Sequence, residues 1–199
     1  GLGSSAAQSA AAVFVLVDHA GPSYLLAVDK ATGKDLWKAD RTPRTGWTSP
    51  VVADLNGKPA VVVSGGTDLV AYDAASGKEL AALAGLAGIN IPSPTAAGGL
   101  VAVGAGENRM KPDLAASARS NCLVRLTEKD GAAAFEPVWG AKKVVSGTAS
   151  PVIHRGHAYF VSKSGFVHCL DLATGEERYA ERLEDPAWAT PVAAGDHVY

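Results

Sequence analysis

One stretch, Ala27-Val28-Asp29-Lys30-Ala31-Thr32-Gly33-Lys34-Asp35-Leu36-Trp37, recurs down the chain in weaker copies and sets its organisation. The second copy is Ala71-Tyr72-Asp73-Ala74-Ala75-Ser76-Gly77-Lys78-Glu79-Leu80. The last is Cys169-Leu170-Asp171-Leu172-Ala173-Thr174-Gly175-Glu176-Glu177-Arg178-Tyr179. Asp29 and Asp73 stand 44 residues apart, and the wider gap before Asp171 has room for a degraded copy. Arg125-Leu126-Thr127-Glu128-Lys129-Asp130-Gly131 fills that gap, with the aspartate lost. A period in the forties denotes an array of similar supersecondary units, each burying its apolar surface against the next.

Each copy reads as a hairpin. Apolar residues ahead of the aspartate form a strand, and its carboxylate accepts hydrogen bonds from backbone N–H groups of the turn that follows. Gly33, Gly77 and Gly175 supply the positive φ that closes a loop of about four or five residues. The next strand begins with charge and reaches an aromatic residue at Trp37, Tyr179 or, less tidily, Trp139; the second unit has Ala81 there, so its contact must be weaker or differently filled.

A second marker runs out of phase with the first: Thr48-Ser49-Pro50, Pro92-Ser93-Pro94, Ala149-Ser150-Pro151 and Ala189-Thr190-Pro191, with Gly3-Ser4-Ser5-Ala6 as a version lacking proline. Each leads into a short apolar strand, where proline removes no ladder donor. The interval from Pro94 to Pro151 is the longest, so the third unit carries an insertion. Together the markers give four strands per unit: in the second, roughly 48–54, 59–65, 68–73 and 79–83; in the fourth, 149–154, 157–162, 166–171 and 177–180. The first unit's opening strand is expected near Ser4 to Ser9. Third strands such as Leu69-Val70-Ala71-Tyr72 are apolar on both faces, so neighbours must cover each small sheet on both sides, as in a propeller blade. The expected fold is therefore all-β, a β-propeller of four-stranded antiparallel blades at about 1–47, 48–92, 93–148 and 149–188, with half a blade at 189–199.

The motif Ala-x-Asp-x-x-Thr-Gly-Lys-x-x-Trp resembles the tryptophan-docking repeat of the bacterial quinoprotein, or PQQ-like, β-propellers, and Ala27 to Trp37 matches it at every defined position. The resemblance covers essentially the whole chain, strongly in units one, two and four. It implies a ring of seven or eight blades, of which about four and a half are present, with an indole from the outer strand docked between blades. Under it, Asp29, Gly33, Trp37, Asp73, Gly77, Trp139, Asp171, Gly175 and Tyr179 take structural docking positions. It also implies a periplasmic or secreted location.

Composition agrees: 47% hydrophobic residues with 22 Gly, 11 Pro and no long helical pattern favour an all-β class. A net charge of −2 and a pI near 6.2 advertise no basic face, which argues against nucleic acid or an anionic membrane as partner. The longest early apolar run, Ala10 to Val17, is too short to span a bilayer, and the first residues lack the pattern of a secretory signal. His154, His157 and His168 with Cys169 invite a metal reading, but the hairpin register pairs His168 near Val161, ~13 Å along the strand from His157, and no metal site is expected. Cys122 lies three places before Arg125, taken as the match of Cys169, so a bridge between the cysteines is not expected.

Two candidate surfaces remain. Asp18-His19-Ala20-Gly21-Pro22-Ser23 reads as a solvated turn rather than a catalytic pair. Trp47 and Trp188 each precede an innermost strand and so surround one mouth of the central channel; with Arg41 and Arg44 they form a candidate ligand or partner surface. The insertion at 105–120 stands where other units use a short turn, and Glu107, Asn108, Arg109 and Lys111 are its candidate binding residues. The function expected is a non-catalytic scaffold for other proteins, without catalytic residues or cofactor. Alternatives are a quinoprotein dehydrogenase using PQQ and calcium, against which the absence of a vicinal cysteine pair counts, and a small-ligand or glycan binder at the channel mouth.

Overall fold

A computed structural model describes residues 3–87, 91–108, 110 and 112–199. The first sheet is formed by β1 (Ala7–Gln8), β2 (Ala12–Val17), β3 (Ser23–Asp29) and β4 (Asp35–Arg41), paired antiparallel in that order. The second repeats it with β5 (Val51–Leu55), β6 (Lys58–Gly65), β7 (Asp68–Asp73) and β8 (Glu79–Ala84). In the third, β9 (Thr95–Ala97) and β10 (Leu100–Val103) are followed by a short helix α1 (Leu114–Arg119), then β11 (Cys122–Lys129) and β12 (Ala132–Gly140). The fourth consists of β13 (Val152–His154), β14 (His157–Val161), β15 (Phe166–Asp171) and β16 (Glu177–Arg182). A two-stranded sheet, β17 (Ala193–Ala194) and β18 (His197–Val198), comes last. The fold is thus all-β, four propeller blades and a partial fifth, with α1 as its one helix among the described residues.

Burial explains why these sheets stack. The run Ala60–Ser64 in β6 is buried on both faces. Val61 and Val63 join Phe14, Leu25 and Tyr72 in a core between the first two blades, while Ala60 and Val62 join Leu69, Val101 and Val124 in the next one. A third core, with Leu123, Phe160 and Leu170, lies between blades three and four. Apolar side chains on both faces of a strand need a partner sheet on each side, and stacking blades supplies one.

The repeated aspartate shapes each outer hairpin. Asp29 Oδ1 accepts from Ala31 N (3.1 Å), Thr32 N (2.7 Å) and the Thr32 hydroxyl (2.8 Å). Asp73 does the same with Ala75 and Ser76, and Asp171 with Ala173 and Thr174. All three carboxyls are held below the ordinary aspartate range, chiefly by the Thr32 hydroxyl, the Ser76 hydroxyl and the Arg178 guanidinium respectively. The Asp73 and Asp171 turns each receive an indole from the blade before: Trp37 Nε1 donates to Ala74 O (3.1 Å) and Trp139 Nε1 to Leu172 O (2.9 Å).

The third blade departs from the expected alignment. Leu123 pairs with Trp139 as Ala27 does with Trp37, Ala71 with Ala81 and Cys169 with Tyr179, and a bulge follows in each case. Leu123, not Arg125, therefore matches Cys169, and Arg125 stands at the aspartate position. Without a carboxylate to turn the chain, β11 and β12 run on to a tight turn at Asp130 and Gly131, whose φ values are 52° and 77°. This extension carries the cross-strand pair Leu126 and Phe135 into the same core as Ala81. The volume a second-blade tryptophan would take is thus filled from the third blade.

The second marker acts through its hydroxyl rather than its proline. Ser5 N donates to Ser49 Oγ (2.9 Å), Ser49 N to Ser93 Oγ (2.8 Å), Ser93 N to Ser150 Oγ (3.0 Å) and Ser150 N to Thr190 Oγ1 (3.0 Å). One directional ladder thereby joins the innermost ends of successive blades. Using those residues for the ladder shortens the strands: β1 covers Ala7–Gln8 rather than Ser4 to Ser9, and β5 and β13 start after their prolines.

Candidate functional site

In each blade the turn between the second and third strands and the exit from the fourth lie at one end. Ser23 pairs with Arg41, Asp68 with Ala84 and Phe166 with Arg182. The inter-blade links carrying Arg44, Trp47, Lys142 and Trp188 therefore share one face with the insertion between β10 and β11. Both surfaces suggested by the sequence lie on that face.

Arg41 is inside it, not on it. Its Nε and Nη2 donate to the two carboxylate oxygens of Asp18 (2.9 and 3.1 Å), and Nη1 donates to the Tyr72 hydroxyl (2.7 Å). The Arg41 and Asp18 side chains are each only 1% exposed. Asp18 is thus no solvated turn residue: it lies between β2 and the bare Cα of Gly65, where a Cβ would approach its Oδ2 to 3.0 Å. Burial alone would lower the Arg41 pKa, but the hydrogen bond and charge of Asp18, with Tyr72, more than offset this and raise it. Burial pushes the Tyr72 phenol up, against the opposing charge of Arg41. A charge pair this dry survives because its hydrogen bonds are satisfied, and it fastens the first blade to the second.

Arg44 is half-buried and engaged by the second blade, donating to Asp68 Oδ1 (2.6 Å) and Gly65 O (3.1 Å). Trp47 is 45% exposed and Trp188 65% exposed, the latter beneath the Lys163 ammonium at 5.1 Å from the ring centre. No ring contact joins the two indoles among the described residues; they sit on separate links of the same face.

The described ends of the insertion, Ala105 and residues 113–120, are fixed by hydrogen bonds. Asp113 caps α1, its Oδ1 accepting from Ala116 N (2.8 Å). Buried Asn121 receives the N–H groups of Ala105 (3.0 Å) and Ser146 (3.1 Å) on Oδ1, while its Nδ2 donates to Ala105 O and Ser117 O (both 2.9 Å). Ser120 Oγ accepts from Ala87 N (2.7 Å), tying the helix end to the preceding link. Asn121 was missed in the sequence, where its only mark is a polar residue directly ahead of an apolar strand. Glu107 is exposed, and Asn108 Oδ1 accepts from Met110 N (3.0 Å); Arg109 and Lys111 lie outside the described residues. Met110 and Leu114 project outward, 93% and 61% exposed.

The histidines stay apart: His168 pairs with Phe160, one residue from the expected Val161, and bonds Glu177 at 2.9 Å, whereas His157 pairs with Asp171. No three His, Cys, Asp or Glu side chains converge among the described residues. Cys122 and Cys169 are buried free thiols, and burial pushes Cys122 up to about 12. No helix among the described residues is long and apolar enough to cross a membrane.

The family model PQQ_2, described as outer membrane protein assembly factor BamB, matches residues 22–136 and 119–199. Comparison with the curated proteins finds no match. Among solved structures, BamB from Moraxella catarrhalis superposes with a TM-score of 0.68 at 16% identity, covering 98% of this chain and 57% of that one. The quinohemoprotein alcohol dehydrogenase ADHIIG from Pseudomonas putida HK5 gives 0.58 at 20% identity, covering 89% and 34%. The computationally designed Ika8 protein gives 0.63 at 11% identity, covering 97% and 53%. This chain thus spans little more than half the length of the BamB it resembles, and at these identities the likeness shows the fold. On the family match over nearly its whole length, the chain belongs to the PQQ-like repeat propellers of the outer membrane protein assembly factor BamB family.

Proposed function

We propose that this propeller is a non-catalytic platform for another protein, engaged through the face that bears the insertion. The observation that carries this reading is the treatment of residues 105–120. Asn121 ties Ala105 and the helix residue Ser117 to the link at Ser146, yet Met110 and Leu114 lie exposed, on the face that also exposes Trp47 and Trp188. Apolar side chains presented on a rigid scaffold are the usual anatomy of a protein-binding surface. The family resemblance supports a periplasmic or secreted setting.

The test replaces residues 106–119 of the full protein with a short turn like that at Ser164-Gly165 and compares co-purifying proteins from the native host. A stoichiometric protein partner is expected with the intact propeller and lost with the shortened one, at nearly unchanged melting temperature. An identical partner set, or dye-linked dehydrogenase activity on adding PQQ and calcium, overturns the reading.

A further inference from the structure

The repeat breaks twice at the boundary between the second and third blades: Ala81 stands in the tryptophan position, and the insertion stands between β10 and β11 where other blades have a short turn. Between them the surface opens into a cleft of about 360 Å³, walled by Leu83, Leu86, Ala116, Cys122 and Pro137, with Arg119 of α1 beside them. The walls are apolar and the surrounding cations are not neutralised. Arg119 abuts Gly140, where a Cβ would come within 2.9 Å of the Arg119 carbonyl oxygen. The chain continues from Gly140 through buried Ala141 to Lys142 and Lys143, both exposed, which line an adjoining cleft that shares Gly140.

Arg119, Lys142 and Lys143 make no ion pair or side-chain hydrogen bond among the described residues. Arg44 on the same face is matched by Asp68, and the buried Arg41 beneath it by Asp18. Glu176 and Glu177 line the adjoining cleft together with the lysines, and Glu177 is engaged by His168. Three unmatched cations beside an apolar cleft, on a chain of net charge −2, form a local reversal of sign.

We propose that this cleft receives an apolar side chain from an acidic segment of a partner protein, with the flanking carboxylates meeting Arg119, Lys142 and Lys143. The proposal rests on the platform reading above and names the chemistry of its partner. Charge complementarity selects an acidic segment, and the apolar walls select a bulky side chain within it over a bare polyanion.

The experiment titrates the isotopically labelled full chain with a blocked peptide carrying three acidic residues on each side of one phenylalanine. Controls are an alanine-centred peptide, a lysine-flanked peptide and an oligothymidylate. The acidic phenylalanine peptide should shift the amide signals of Ala116, Arg119 and Cys122 and the Trp139 indole N–H. It should bind at least about tenfold tighter than the alanine-centred control and weaken as salt rises. Charge reversal in Arg119→Glu with Lys142→Glu and Lys143→Glu, all at exposed positions, should abolish binding, while Lys129→Glu, exposed at the opposite end of the third blade, should leave it intact. Equal binding of the lysine peptide, tighter binding of the oligonucleotide, or indifference to charge reversal overturns the proposal. If no peptide binds but the insertion-dependent partner still co-purifies, the cleft assignment falls and the platform reading stands.

Discussion

The ring of Trp37 rests where a side chain on Gly77 would have to be: a Cβ built on that glycine falls 2.5 Å from the indole. Trp139 and Gly175 repeat the relationship at 2.6 Å. The repeat glycine therefore meets two demands at once. Its φ of +73° closes the aspartate turn, and its bare Cα admits the tryptophan of the preceding blade. The motif's aspartate and glycine organise one blade while its tryptophan is spent on the next, so the motif describes an interface as much as a hairpin.

Trp37→Ala should cost about 3–5 kcal/mol, since it empties a large site and leaves the Ala74 carbonyl without its donor. Gly77→Ala should also destabilise, by steric conflict with the indole plus the left-handed backbone penalty. In the Trp37→Ala background only the backbone part, about 1 kcal/mol, should remain. A urea double-mutant cycle measures the coupling, and additive costs would contradict the contact.

Removing either member of the Asp18–Arg41 pair should leave an uncompensated buried charge. Arg41→Met or Asp18→Asn alone is expected to lower stability by about 3–5 kcal/mol, whereas Asp18→Val combined with Arg41→Met should cost much less than the sum. Equilibrium denaturation of the three variants checks this. Near-silent single substitutions would show that the pair does not fasten the blades.

Acid should loosen the outer hairpins. Asp29, Asp73 and Asp171 are depressed below the ordinary value of 3.8, so the stability they contribute is complete above that pH and fades as pH falls through their lower folded-state values. Melting temperature should therefore be insensitive to these groups at pH 6 and drop steeply below about pH 4. Asp29→Asn with Asp73→Asn and Asp171→Asn should flatten that drop. An unchanged acid limb would mean that the three turns do not govern it.

The hairpins, blade repetition and all-β class were legible because they rest on local chemistry. Asp29 bonds N–H groups two and three residues away, and Gly77 turns its own backbone. Phe135 was not legible as the filler of the Ala81 gap. It belongs to a hairpin whose aspartate signal is missing, and its value appears only across the second core. Arg41 and Asp18 misled for a related reason. A charged residue beside Gly and Pro reads as solvated until the Tyr72 hydroxyl of another blade closes over it.

The sequence by itself determined the unit of construction: four short strands, punctuated by an aspartate, a glycine and a Ser-Pro or Thr-Pro marker, repeated along the chain. Those features act over a few residues, where steric and hydrogen-bonding preferences suffice. Tertiary structure alone decided which hydroxyl meets which backbone N–H between successive blades, how a missing indole is replaced, and that Asn121 ties Ala105 to α1. Each of these joins residues far apart in the chain, and the free energy of such contacts exists only once neighbouring blades have excluded the water between them.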